Sequence, residues 1–202
     1  MLRLAEGVST MALPTVHIDR WAFFNMLIAV TEVFKQESIG HLFGFVPTAK
    51  KNFFRVVNAF PLQHLKKRGF ARTEQSTKSD RLLTEMYSAF EGIQVQNIGG
   101  FHSHPEYGSF IVLRKLSDID IQNMINPSSR LEILITVTTA KLPVSRWKYT
   151  HSGAIIGYHG GLRYAVDAFM LIGEKPLRKN IRKLQIRAPS AMRSLQRLCH
   201  KK

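Results

Sequence analysis

Two histidines two positions apart, His102 and His104, end an apolar stretch of the chain. On a β-strand, residues at this spacing point to the same side, so both imidazoles would face one direction. A catalytic zinc ion needs a third protein ligand and an open position for water. Asp118 and Asp120, at the start of the next predicted helix, are close enough in sequence to return to this strand end.

This segment alone leaves two interpretations open. Ser117 and Asp120 have the spacing of a helix capping pair, and histidines are common in exposed loops. No spacing here fixes the third ligand. A hydrolytic metal site also needs a general base, normally a carboxylate that is not itself a ligand. The segment therefore predicts either a metal site or a capped, histidine-rich turn.

The elements that would position these residues follow from hydrophobic periodicity. Strands are predicted at 14–19, 38–46, 51–62, 95–104 (ended by Pro105) and 131–140, with a hairpin of 150–158 and 162–171. Helices are predicted at 19–36 (apolar at Trp21, Phe24, Leu27, Ile28 and Val33), at 78–92 and from Ser117, and loops at 63–79 and 105–116. This order predicts an α+β (mixed α/β) fold, a mixed central sheet flanked by helices.

Composition excludes several classes of protein. The chain has 202 residues, 45% of them hydrophobic, which is enough for one domain with a buried core. Its one cysteine, Cys199, excludes an internal disulfide framework. No apolar run is long enough to cross a membrane, and the first ten residues do not form a secretory signal. These features predict a cytoplasmic protein, with residues 1–13 disordered.

Three motifs occur in an order that resembles the JAMM (MPN-domain, JAB-type) metalloproteases, in a prokaryotic-type form. ESIGHLFG supplies Glu37, Leu42 and Gly44 after the first predicted helix, GGFHSHP ends a later strand, and Ser117-Asp-Ile-Asp120 follows. The resemblance covers residues 14–172 and implies the cytidine-deaminase-like JAB/MPN fold. It also implies hydrolysis of an isopeptide or peptide bond at the C-terminus of a ubiquitin-like or sulfur-carrier protein.

The resemblance also implies a role for each site residue. His102, His104 and Asp120 would hold Zn²⁺, with water as the fourth ligand. Glu37 would be the general base, and Ser117 would donate a hydrogen bond to the developing oxyanion. Asp118 would only complement the helix dipole.

The chain departs from the family in one spacing. Eleven residues, 106–116, separate Pro105 from Ser117, more than the family usually has. The inserted FIVLRK (110–115) is apolar and β-prone, so we expect a flap or a longer turn beside an intact site. The alternative is a displaced Asp120 and a site that binds metal poorly.

The C-terminal residues 174–202 form a basic extension. They hold ten Lys or Arg and one acid, a net +9, which leaves +6 for residues 1–173. Two short amphipathic helices, 176–187 and 190–200, are predicted here. Such a segment suits nucleic acid, an anionic membrane surface or an acidic partner, and equally a solvated extension or docking on its own domain.

Three functions therefore stand for a metalloprotease domain at 14–173 with this extension. The first is a zinc isopeptidase or peptidase. The second is a non-catalytic MPN-type scaffold, which loss of motif residues would favour, although every motif residue is present. The third is a nucleic-acid-associated protein that uses the basic extension.

Overall fold

The computed structural model describes residues 12–62, 65–68, 73–75, 85, 86, 89, 95–107, 114–124, 130–141 and 146–199. The strands are β1 (Thr15–Ile18), β2 (Ile39–Phe45), β3 (Phe53–Pro61), β4 (Leu65–Arg68), β5 (Thr73–Gln75), β6 (Gln96–Glu106), β7 (Leu131–Thr139), β8 (Arg146–Tyr149), β9 (Ile155–His159), β10 (Leu162–Leu171), β11 (Ile181–Leu184) and β12 (Ile186–Arg187). The helices are α1 (Arg20–Glu32), α2 (Asp118–Asn123) and α3 (Pro189–Cys199), with a 3₁₀ turn at Arg178–Asn180.

One large mixed sheet organises the described residues. Its order is β12-β1-β3-β2-β6-β7-β10-β9-β8, and β11 also pairs with β10. The pairs β12–β1, β1–β3 and β6–β7 are parallel, and the other pairs are antiparallel. The predicted mixed sheet with a few helices, an α+β arrangement, is confirmed.

The two faces of the sheet bury different clusters of side chains. One face packs against α1 and α3 through residues such as Phe101, Ile133 and Val166. The opposite face carries a smaller cluster in which α2 and the chain before it cover the strands; it consists of Leu116, Ile121, Met124, Leu134, Phe169 and Leu171. Since side chains alternate along a strand, His102 points to this second face, in register with Leu134.

The basic C-terminal segment is built into the sheet. β11 pairs with β10 and β12 pairs with β1, although only Gln185 separates them in the chain. The helix predicted at 176–187 is wrong, because Leu184, Ile186 and Ala188 are buried with a period of two, which is the strand period. The helix predicted at 190–200 is confirmed as α3, and it docks on the domain.

Two other local predictions need correction. In α1 the buried side chains include Phe23, Met26 and Val30, whereas Trp21 and Ile28 are 65% and 61% exposed. The helix is apolar on several sides, so periodicity alone could not choose the face that meets the sheet. The predicted loop 63–79 contains β4 and β5, which pair antiparallel. Their sequence is polar and lacks the apolar pattern from which strands are predicted.

Several predictions fall largely on residues outside the described ranges. Residues 1–11 and 108–113, and most of the helix predicted at 78–92, lie there. Within that helix, Glu85, Met86 and Ala89 are helical, but Met86, expected on the apolar face, is 60% exposed. Within the described residues, no helix has the length and apolar character that crossing a membrane requires.

Candidate metal centre

Strand β6 presents both histidines from the middle of the sheet. It lies between β2 and β7, and it approaches β7 closely, because a Cβ at Gly99 would overlap the backbone of Leu131. The prediction that Pro105 ends this strand is wrong, since β6 continues to Glu106 in register with β7. Ser103 donates its N–H to Ser38 O, which lies on the β2 side of β6. Backbone nitrogens two residues apart face the same side of a strand, so the nitrogen of Pro105 also faces the β2 side. It lies beyond His102, the last residue of β6 that pairs with β2. Proline is tolerated at such an unpaired edge.

Glu37 is brought to the histidines by the residue that follows it. Ser38 donates its N–H to Ser103 Oγ (2.9 Å), and Ser103 donates its own N–H to Ser38 O (2.8 Å). Ser103 is buried and lies between the two histidines, so the start of β2 is fixed against the end of β6. Lys35, at φ 85°, reverses the chain between α1 and this point. The middle residue of His-Ser-His therefore has a structural role that the sequence did not reveal.

Helix α2 brings Asp120 to the same place. Ser117 is its N-cap: Ser117 Oγ accepts from the Asp120 N–H (3.1 Å), and Asp120 Oδ2 accepts from the Ser117 N–H (2.6 Å). This is the reciprocal capping pair considered from the sequence. It is compatible with a further role for Ser117, because a hydroxyl that accepts a hydrogen bond can still donate one. Asp118 points elsewhere and is 86% exposed.

Three side chains from these two elements form a group that could hold a metal ion. One ligand atom each from His102, His104 and Asp120 lies within 4.8 Å of the others. Asp120 Oδ2 is 3.5 Å from His102 Nε2 and 3.7 Å from His104 Nε2. Ligand atoms roughly 2.1 Å from a tetrahedral ion are about 3.4 Å apart, so the group fits a metal ion with little movement.

A second carboxylate, Glu132, orients one of these ligands. Its Oε1 lies 2.7 Å from His102 Nδ1. Since a carboxylate only accepts, Nδ1 donates, and Nε2 is left facing Asp120. That nitrogen is buried and makes no hydrogen bond within the part of the chain that the structure describes. A histidine held by a carboxylate through one nitrogen, with its other nitrogen turned to a second candidate ligand, has the arrangement of a metal ligand.

The electrostatics of the group favour a positive charge. Burial by itself lowers the pKa of His102, but the Asp120 and Glu132 carboxylates outweigh burial and hold that pKa well above its ordinary value. Burial by itself raises the pKa of Asp120, yet its interactions with His102 and Ser117 hold that pKa well below its usual range. The surroundings of His102 therefore stabilise a cation.

Glu37 has the properties of a base beside this group. Burial raises its pKa to about 7; the charge of His102 opposes the shift, and the charge of Asp120 adds to it. A carboxyl with a pKa near neutrality can accept and return a proton at physiological pH. Among the predicted site residues, Glu37 is the carboxyl group whose pKa lies near neutrality. The structure brings together Glu37, His102, His104, Ser117 and Asp120, whereas Asp118 lies outside this group.

The sequence analysis did not assign a role to Ser103 or to Glu132, although the sequence contains a signal for Glu132. Glu132 is the only charged residue in the apolar run LEILITV (131–137). Gly100 makes room for it, because a Cβ there would lie 2.8 Å from Glu132 Oε2. The pairing itself depends on the parallel register of β6 and β7, which the sequence does not state.

We expect Glu132→Ala to weaken zinc binding about 10- to 100-fold, the usual loss when a partner behind a ligand is removed. Glu132→Gln should lose less, because its amide oxygen can still accept from His102. Titration of the apo-protein with zinc against a chromogenic chelator measures both. Glu174→Gln, at an exposed acid, is the control. Unchanged affinity in Glu132→Ala would show that His102 needs no such partner.

An apolar pocket of about 440 Å³ lies on the opposite face of the sheet, between α1 and α3. Phe24, Leu27, Trp147 and Leu195 are among its walls. It contains none of the candidate site residues.

Comparison with known proteins bears on the fold alone. No known protein family and no curated protein matches the sequence. The structure is similar to the solution structure of protein DSY2949 from Desulfitobacterium hafniense, with a TM-score of 0.50 and 14% sequence identity. The match covers 86% of this chain and 92% of that chain.

Proposed function

We propose that this protein is a zinc-dependent hydrolase of the JAMM type that cleaves isopeptide or peptide bonds. The observation that carries the proposal is the group of His102, His104 and Asp120, gathered from β6 and α2, with Glu37 beside it. The mixed sheet, with this group at the end of a central strand, supports the JAB/MPN fold. The match of three sequence motifs to five side chains that lie together, Glu37, His102, His104, Ser117 and Asp120, supports the family.

The donor set supports zinc as the metal. Two imidazole nitrogens and one carboxylate oxygen are the ligands of many catalytic zinc sites, which keep a fourth position open. When bound, zinc would polarise a carbonyl group and make a nearby water molecule more acidic.

The chain's own residues supply the remaining chemistry. Glu37 takes the proton of the attacking water and passes it to the leaving amine. Ser117, whose hydroxyl accepts from the Asp120 N–H, has a proton to donate to the oxyanion. Glu132 keeps His102 in one tautomer and one orientation.

The edge of β6 supports a polypeptide substrate. β2 pairs with β6 only as far as His102, so within the described residues β2 does not extend along Pro105 and Glu106. An extended peptide could add to this edge by backbone hydrogen bonds, which favours a slim C-terminal tail such as that of a ubiquitin-like or sulfur-carrier protein.

Cleavage of a ubiquitin-like fusion protein tests the proposal. We expect the zinc-loaded protein to release the C-terminal partner, a chelator to stop the reaction, and added zinc to restore it. Activity that persists unchanged after complete metal removal would exclude a metal-dependent mechanism. Intact zinc binding without cleavage of any ubiquitin-like fusion would favour the scaffold alternative.

A further inference from the structure

The segment that carries Ser117 and Asp120 contacts the basic C-terminal segment at two places. At the first, Arg178 binds the residues on both sides of Ser117. At the second, Arg114 and Lys183 both form ion pairs with Asp167. We name residues 178–183 the brace. The sequence left open whether these cations meet external partners or dock on their own domain, and two of them, Arg178 and Lys183, bind residues of the domain itself.

Arg178 binds both neighbours of Ser117. Its Nη1 donates to the carbonyl of Leu116 (3.0 Å), and its Nη2 donates to Asp118 Oδ1 (2.6 Å). The Asp118 pair is largely exposed and contributes little energy by itself. Leu116, however, is 2% exposed, so the same guanidinium links a buried anchor to the first turn of α2. The guanidinium thus bridges the two residues beside Ser117, the N-cap that exchanges hydrogen bonds with Asp120.

The second contact involves Arg114, three residues before Ser117. Asp167 is fully buried, and its Oδ2 accepts from Arg114 at 2.8 and 3.0 Å. Lys183 Nζ lies 2.6 Å from Asp167 Oδ1. Asp167 is in register with Leu134, which is in register with His102, so this cluster lies on the same face of the sheet as the metal group.

The brace itself is held firmly. Lys183 belongs to β11, which pairs with β10. Asn180 donates its side-chain N–H to Lys175 O (2.9 Å) and accepts from the Ile172 N–H through its carbonyl (2.8 Å). Arg178 therefore extends from a fixed backbone rather than from a free tail.

We propose that Arg178 is a positioning residue for the candidate metal ligand Asp120, and that the brace holds the 114–120 segment against the sheet. The inference rests on the proposed metal site, since it assigns a function to contacts around one of its ligands. It gives part of the basic C-terminal segment a role within the domain.

Cobalt binding to the purified full-length chain tests this inference without any substrate. The visible absorption of Co²⁺ reports ligand geometry, and titration gives affinity. We expect Arg178→Ala to weaken Co²⁺ binding about tenfold and to shift the absorption spectrum. This is the smallest loss usual for a direct partner of a ligand, because Arg178 acts on Asp120 only through the residues beside Ser117. Arg178→Lys, which can reach only one of the two partners, should fall between Arg178→Ala and wild type. Lys179→Ala removes an adjacent exposed charge and should match wild type.

Thermal melting of the apo-proteins separates positioning from unfolding. Arg178→Ala with a near-native melting temperature, weaker Co²⁺ binding and an altered spectrum supports the inference. Equal affinity and equal spectra in wild type and Arg178→Ala would overturn it. So would an equal loss of affinity in Lys179→Ala, because net charge would then be the cause. Failure of the wild type to bind Co²⁺ would instead contradict the proposed metal site.

Discussion

Glu37→Gln should lower the rate of substrate cleavage about 100- to 10,000-fold while leaving zinc content unchanged. Glutamine has nearly the same shape as glutamate, but it cannot accept the proton of the attacking water. Glu37 is absent from the ligand group of His102, His104 and Asp120, so its replacement should spare metal binding. Single-turnover cleavage of a ubiquitin-like fusion, with metal analysis of the same samples, measures both effects.

The pH dependence of the wild type provides the matching control. Burial raises the Glu37 pKa to about 7, and a cation bound nearby would bring it down again. The base acts only when ionised, so kcat/KM should rise with pH and level off, with its midpoint at or below about 7. Equal cleavage by Glu37→Gln and wild type, or a rate that falls over this range, would assign the base role to another group.

Asp167→Asn should lower the free energy of unfolding by about 3 kcal/mol, the lower end of the cost of breaking a buried ion pair. The carboxylate is fully buried between Arg114 and Lys183, and its loss leaves two cations without their anion. These cations are 30% and 35% exposed, so water can partly compensate them, which places the effect at the lower end. Urea unfolding of the apo-protein measures the change.

A matched substitution at the surface provides the comparison. Asp19 forms an ion pair with Arg55 at 2.9 Å, but the two side chains are 40% and 52% exposed. Asp19→Asn should therefore cost about 1 kcal/mol or less. Similar losses in the two variants would show that the Asp167 cluster has no special stabilising role.

The sequence predicts the residues of the candidate site better than it predicts the contacts that hold those residues in place. The period of two along β6 places His102 and His104 on one side, and the motif order adds Glu37. Spacing alone left Asp118 and Asp120 open, and the resemblance favoured Asp120. The structure gives the physical reason, because capping by Ser117 turns Asp120 to the histidines, while Asp118 turns to Arg178. The supporting contacts span 30 residues for His102 and Glu132 and 60 for Asp118 and Arg178. No local pattern fixes such pairings, because they depend on sheet register.

The high charge of the C-terminal segment contributed to the wrong prediction of a helix at 176–187. Its cations suggest an external polyanion, and they obscured the alternation of Leu184, Ile186 and Ala188 that marks a strand. These side chains, with Met192 and Leu195 of α3, belong to the main core. Deleting 174–202 would therefore damage the fold, so single substitutions at exposed cations such as Arg193 are the appropriate test of nucleic-acid binding.

Metal content is the most direct test of the central claim that His102, His104 and Asp120 form a zinc site. After reconstitution and removal of free metal, the wild-type protein should retain about one zinc ion per chain, as a three-ligand catalytic site does. His104→Ala should retain far less, with a circular dichroism spectrum like that of the wild type. Absence of stoichiometric zinc in a folded wild-type protein, or equal zinc in His104→Ala, would contradict the account.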